Sequence, residues 1–219
     1  MENIPVQQKI LSRNDEIAAS LRQVFDRQGV YVINLISSPG SGKTSLLERI
    51  LPVLGPRFRC GVIEGDVQTE NDARRIARLG FPVHQIITCG ACHLDAQMIS
   101  DHLDRLPVSD LDFLCIENVG NLVCPSSYWL GEDAKIVILS AAEGDDKPVK
   151  YPAVFRRAAA MVVNKTDLAQ WSDFSQETAI ANARGINPGI EVFPLSCRTG
   201  EGLLLFTDWL SGRISAKKA

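Results

Sequence analysis

The stretch Ile36-Ser37-Ser38-Pro39-Gly40-Ser41-Gly42-Lys43-Thr44 places glycines, a lysine and a hydroxyl at a spacing suited to one kind of ligand. Glycines let backbone N–H groups curl round an anion, a lysine reaches phosphate oxygens, and a hydroxyl can ligate a divalent cation. On that reading Lys43 reaches the β- and γ-phosphates of a nucleotide and Thr44 ligates Mg2+, with Ser45 beside them. The first glycine of the pattern G-x-x-x-x-G-K-[ST] is Ser37 here, whereas Gly40-Ser41-Gly42-Lys43-Thr44 is intact. The setting agrees: the apolar run Val30–Ile36 reads as a strand, and Leu47, Ile50, Leu51 and Leu54 repeat at helical spacing over 43–54. A phosphate loop between strand and helix follows.

Downstream, Asn164-Lys165-Thr166-Asp167 ends another apolar run and has the form N-K-x-D. An aspartate accepts two hydrogen bonds from guanine N1–H and its exocyclic amine, a donor pair that adenine lacks. Ser196 and Cys197 occupy the place where proteins of this kind offer a backbone N–H to guanine O6. Together these residues predict GTP and GDP as ligands. Glu117-Asn118-Val119-Gly120 stands where D-x-x-G is common, so Glu117 would hold Mg2+ directly or through water and the Gly120 N–H would sense a γ-phosphate. Residue 121 is asparagine rather than a water-orienting glutamine, which leaves Asp66 to position water or Mg2+. Lys43, Asp66 and Glu117 form the expected catalytic set, and slow turnover is expected.

Cys92-His93 and Cys124 offer thiolate and imidazole, which suit Ni2+ and Zn2+ alike; three ligands per chain invite completion across a symmetric dimer. From the residues alone these three are either metal ligands or ordinary packed side chains. Cys89-x-x-Cys92 also has redox-dithiol spacing, although not at a strand–helix junction. Cys60 and Cys115 fall inside strands and read as small buried hydrophobes.

These residues need a scaffold. Strand patterns over 30–36, 59–63, 83–88, 112–116, 134–140, 160–163 and 190–193 alternate with helical ones, beginning with an amphipathic helix over 13–28. Thr69-x-x-Asp72 reads as a capping box, 173–184 as a helix, and Leu203 to Leu210 as a last helix. The alternation predicts an α/β fold, a doubly wound, mostly parallel sheet with helices on both faces, as one domain over 1–219 with residues 1–29 as a packed helical segment. With 219 residues, 45% hydrophobic, the chain can bury a real core. A net charge of −3 and no basic block argue against nucleic acid. No apolar run is long enough for a membrane span, Met1–Glu16 lacks a signal-peptide core, and six cysteines without secretory features suggest a reducing compartment. The expectation is a cytoplasmic protein.

The set Ser38–Thr44, Glu64-Gly65-Asp66, Cys92-His93-Leu94-Asp95-Ala96, Glu117–Pro125 and Asn164–Asp167 resembles the hydrogenase nickel-incorporation GTPases, HypB, over nearly the whole chain. The resemblance implies a SIMIBI-class P-loop GTPase that dimerises with GTP and helps deliver nickel to [NiFe]-hydrogenase. Implied partners are a second copy of the chain, hydrogenase maturation proteins and the hydrogenase large subunit. Cys92, His93 and Cys124 are implied to bind nickel or zinc at or near the dimer interface, and Lys147 or Lys150 to reach the partner's nucleotide. Many relatives also carry an N-terminal cysteine motif or histidine-rich tract; Met1-Glu-Asn-Ile-Pro5 matches neither, so high-capacity nickel storage is not expected. Competing readings are an accessory GTPase for urease, whose Cys-Pro-His motif is absent, a small-molecule kinase, and a non-hydrolysing metal-binding interaction protein.

Overall fold

The computed structural model describes residues 6–67 and 71–218. Among the described residues, seven strands form one parallel sheet: β1 (Tyr31–Ser37), β2 (Cys60–Asp66), β3 (Val83–Ile87), β4 (Phe113–Glu117), β5 (Ala134–Ser140), β6 (Ala158–Asn164) and β7 (Glu191–Pro194). Their spatial order is β3-β2-β4-β1-β5-β6-β7, with every neighbouring pair parallel. The chain leaves β1 for one edge, returns beside it as β4, and then builds outward on the other side. The reversal falls at β1, and in such sheets ligands settle at the carboxyl ends of strands near that point.

The central strands read as unbroken apolar runs because both faces are covered. One face of β1, Tyr31, Ile33 and Leu35, packs with α2 (Lys43–Leu54) and α8 (Leu203–Lys218) through Leu47, Leu51, Phe206 and Leu210. The opposite face packs on α1 (Val6–Gln28) and α4 (Ala96–His102) through Phe25 and Ile99. It continues past β5 and β6 onto α6 (Pro152–Arg157) and α7 (Gln176–Ile186). Two further helices are short, α3 (Asn71–Ala77) and α5 (Lys147–Lys150). A side chain such as Leu47 or Phe206, fully buried in this core, would cost about 2–5 kcal/mol if cut back to alanine.

The doubly wound expectation holds, with small shifts. The first helix begins at Val6 rather than near residue 13, and the helix expected over 173–184 runs from Gln176 to Ile186. Its start is set by Ser175, whose hydroxyl accepts the Thr178 N–H at 3.1 Å. The expected capping threonine, Thr69, lies outside the described residues. Helices α5 and α6 were not anticipated: each is a turn or two with a proline in its first turn, too short for periodicity to register. Among the described residues, no helix is long and apolar enough to cross a membrane.

Candidate functional site

The chemistry-bearing residues converge at the carboxyl ends of β1, β2, β4 and β6. The phosphate-type loop leaves β1 at Ser37, and α2 starts at Lys43. Gly42 has φ 101°, and a Cβ there would stand 2.4 Å from Asn164 Nδ2, so both conformation and space require glycine. Lys43 Nζ donates to Ser37 Oγ at 3.3 Å; the residue that replaces the pattern's first glycine thus anchors the lysine. The Ser41 hydroxyl lies 2.8 Å from the Ser38 carbonyl oxygen and also against the Glu143 carboxylate.

The N-K-T-D segment closes on that loop. Asn164 donates from Nδ2 to the Ser41 carbonyl at 2.8 Å, and its Oδ1 accepts the Lys165 and Cys197 N–H groups at 2.8 and 3.2 Å. Lys165, at φ 62°, sends Nζ across to the Gly40 carbonyl at 2.7 Å. The Ser196 hydroxyl donates to Asp167 Oδ1 at 2.6 Å, and its oxygen accepts the Arg198 and Thr199 N–H groups at 3.2 and 3.1 Å. Within the segment expected to offer a backbone N–H to a base, the Cys197 N–H is engaged by Asn164. A residue that the sequence reading missed, Arg49 on α2, holds the same loop by donating to the Cys197 carbonyl at 2.7 Å. Gly42, Ser45, Asn164, Lys165 and Asp167 line a cavity of about 540 Å3.

Beyond Lys43 the cleft turns acidic. Thr44 Oγ1 donates to Glu117 Oε1 at 2.9 Å, while Glu117 Oε2 and Glu64 Oε2 are buried with no hydrogen-bond partner among the described residues. Oxygens of Glu64, Asp72 and Glu117 lie within 4.8 Å of one another. Burial, reinforced by Glu117, pushes Glu64 up to about 8. Burial likewise raises Glu117 to about 7, against the opposing pull of Lys43. Unpartnered carboxylate oxygens in a buried cluster beside a threonine hydroxyl are a donor set that fits a hard divalent cation. Asp66 and Gly120 border the same recess, and a Cβ on Gly120 would meet Pro39 at 3.0 Å, so the loop after β4 rides on the phosphate loop. Glu64 was quoted in a motif but given no role; a carboxylate inside the buried run Cys60–Gly65 was the available signal.

A second cluster adjoins this cleft. Donor atoms of Cys92, His93 and Cys124 all lie within 4.8 Å, with Cys92 Sγ 3.0 Å from Cys124 Sγ and 3.7 Å from His93 Nδ1. The neighbouring Cys124 thiol raises the Cys92 pKa, and burial lowers that of His93. Cys89 is exposed, in a left-handed turn at φ 50°, and is not a member of this group. Cys60 and Cys115 are buried as expected. Asn121 ties this cluster to the loop after β4, donating from Nδ2 to the Cys92 carbonyl at 3.2 Å while Oδ1 accepts the Val123 N–H at 2.9 Å. Of the two lysines expected to reach a partner, Lys147 lies 3.8 Å from Glu143 and Lys150 pairs with Asp146 at 2.5 Å.

Residues 31–194 match the family model described as CobW/HypB/UreG, nucleotide-binding domain. The chain is 51% identical over 205 residues to the hydrogenase maturation factor HypB of Azotobacter vinelandii, covering 94% of this chain and 68% of that one. It is 41% identical over 213 residues to the hydrogenase/urease maturation factor HypB of Helicobacter pylori, covering 95% and 87%. A crystal structure of Helicobacter pylori HypB in complex with nickel superposes with TM-score 0.89 at 40% identity, covering 94% of this chain and 97% of that one. The chain belongs to the CobW/HypB/UreG nucleotide-binding family, and within it to the HypB hydrogenase maturation factors.

Proposed function

We propose that this protein is a slow, GTP-hydrolysing nickel metallochaperone that assists insertion of nickel into [NiFe]-hydrogenase, acting as a single cytoplasmic GTPase domain over 1–219. The observation that carries the reading is the meeting, at one end of the sheet, of a phosphate loop, a guanine-type reader and a Cys/His cluster joined to the loop after β4. A kinase has no use for an aspartate set by Ser196 in the lining of the cavity. The Helicobacter pylori relative is named for both hydrogenase and urease, so service to a second nickel enzyme is the alternative.

In this reading Gly40, Ser41, Gly42 and Ser45 present N–H groups to the phosphates, Lys43 neutralises them, and Asp167 reads the base. Thr44 and Glu117, with Asp66 and Glu64 at hand, hold Mg2+, which when bound neutralises developing phosphate charge. Turnover is slow because Asn121, where a water-orienting glutamine would stand, spends its amide on the Cys92 and Val123 backbones. The same bonds join the loop that senses a γ-phosphate to the segment that carries Cys92. Nucleotide state and metal affinity are thereby linked, each altering the other by the same factor. Nickel or zinc is held by Cys92, His93 and Cys124, and a GTP- or metal-dependent homodimer supplies further ligands, with Lys147 or Lys150 turned toward the partner's nucleotide. Hydrogenase maturation proteins and the hydrogenase large subunit are the onward partners.

The test is a Ni2+ titration of wild type and Cys92→Ala, with GDP and with a non-hydrolysable GTP analogue, read alongside oligomeric mass and Mg2+-dependent GDP production. Wild type should bind Ni2+ differently in the two nucleotide states, and Cys92→Ala should lose Ni2+ while keeping GDP affinity. Ni2+ binding that ignores Cys92, or an absence of GDP production, would refute the assignment.

A further inference from the structure

Strand β5 carries one residue out of keeping with its burial. Lys135 is 7% exposed in a seven-residue strand that is buried throughout, on the same face as Val137 and Leu139. A lysine ammonium has three N–H groups, and a buried one must spend them. Lys135 Nζ donates to the Tyr128 carbonyl at 2.6 Å, to Pro125 at 3.2 Å and to Ser126 at 3.4 Å. The Glu132 carboxylate lies 3.6 Å away, itself held by the Leu130 N–H at 2.6 Å. From the end of α6, Arg157 Nη1 donates to the Ser126 carbonyl at 3.1 Å. Residues 125–128 are thus wrapped round one ammonium and pinned by a second cation.

The two ends of the wrapped turn point at the Cys/His cluster. Cys124 opens the turn, with its sulfur 3.0 Å from that of Cys92. Tyr128 closes it, with its ring centroid 4.0 Å from that of His93. Nothing in nucleotide binding requires a buried cation beneath this turn. Groups that orient metal ligands from behind set affinity without touching the metal.

We propose that Lys135 is a positioning residue for the Cys92/His93/Cys124 site: its ammonium gathers the 125–128 carbonyls and so holds Cys124 beside Cys92 and the Tyr128 ring against His93. The proposal rests on the metal-binding reading given above. Replacing the lysine alone would strand Glu132, so the test uses the double variant Lys135→Met/Glu132→Gln in the full chain. Ni2+ affinity is measured by chelator competition, and the thiolate-to-nickel charge-transfer absorption is recorded. GDP affinity, which a locally altered turn would leave alone, reports on the fold.

The expected result is Ni2+ binding weaker by about 10–100-fold, with a diminished charge-transfer band and GDP affinity unchanged. Unchanged Ni2+ affinity and band in a variant that binds GDP normally would overturn the proposal. Should the double variant lose GDP binding, Arg157→Gln decides: Ni2+ affinity lower by about threefold supports the clamp, and no change refutes it. If wild type itself binds Ni2+ no better than Cys92→Ala, the metal reading fails and takes the proposal with it. Failure of the Lys135 and Arg157 variants alone, with Cys92 still required, would sink only the clamp.

Discussion

Asp167→Asn should exchange the base preference of the cavity. Asp167 has Oδ1 fixed by the Ser196 hydroxyl at 2.6 Å, which orients the carboxylate toward the cavity it lines. Guanine presents two donors to such a carboxylate, and each charge-assisted hydrogen bond is worth about 1.5–3 kcal/mol. Asparagine removes the charge and turns an N–H2 toward one of those donors, so a loss of about 3–5 kcal/mol is expected, or roughly 10²–10⁴ in Kd. Xanthine carries one donor and one carbonyl at the same edge, which matches an amide. The assay is displacement of a fluorescent GDP analogue by GDP, XDP and ADP, in wild type, Asp167→Asn and Ser196→Ala. GDP should weaken and XDP strengthen in Asp167→Asn. Ser196→Ala should weaken GDP by roughly fivefold, because one orienting bond is lost while the carboxylate stays. A folded Asp167→Asn protein that binds GDP within about threefold of wild type, with no gain for XDP, would refute the placement of guanine against Asp167.

Gly42→Ala should abolish nucleotide binding and lower the melting temperature, since the added methyl would stand 2.4 Å from Asn164 Nδ2 at a backbone φ of 101°; a GDP titration with a thermal melt checks it, and normal binding would contradict the geometry. The buried carboxyls also predict a pH dependence of the nucleotide-free protein. Glu64 is raised to about 8 and Glu117 to about 7, so the stability they contribute is full below the ordinary carboxylate range and is lost as pH rises through 7 to 8. Melting temperature should therefore fall between pH 6 and 8.5, and Glu64→Gln should flatten that fall; a flat or rising wild-type profile would count against the desolvation of this carboxyl pair.

Much of the fold was legible because strands covered on both faces leave continuous apolar runs, and a glycine-rich loop between strand and helix has few alternatives. Gly40–Thr44 and Asn164–Asp167 declared their chemistry by local spacing, and resemblance drew attention to Cys92, His93 and Cys124. The sequence could not show that Cys92 and Cys124, 32 positions apart, bring their sulfurs within 3.0 Å, because that depends on how β2, β3 and β4 stack their carboxyl ends. Nor could it reveal Arg49 holding the Cys197 loop or Lys135 gathering the carbonyls after Cys124. Each of those side chains answers to backbone groups from another part of the chain, which carry no signature of residue type. Residue types and spacing thus determined which ligands the chain is equipped for. Tertiary structure decided which buried charges hold those groups in place, since a carbonyl becomes a ligand for a particular lysine only once the packing has excluded water from both.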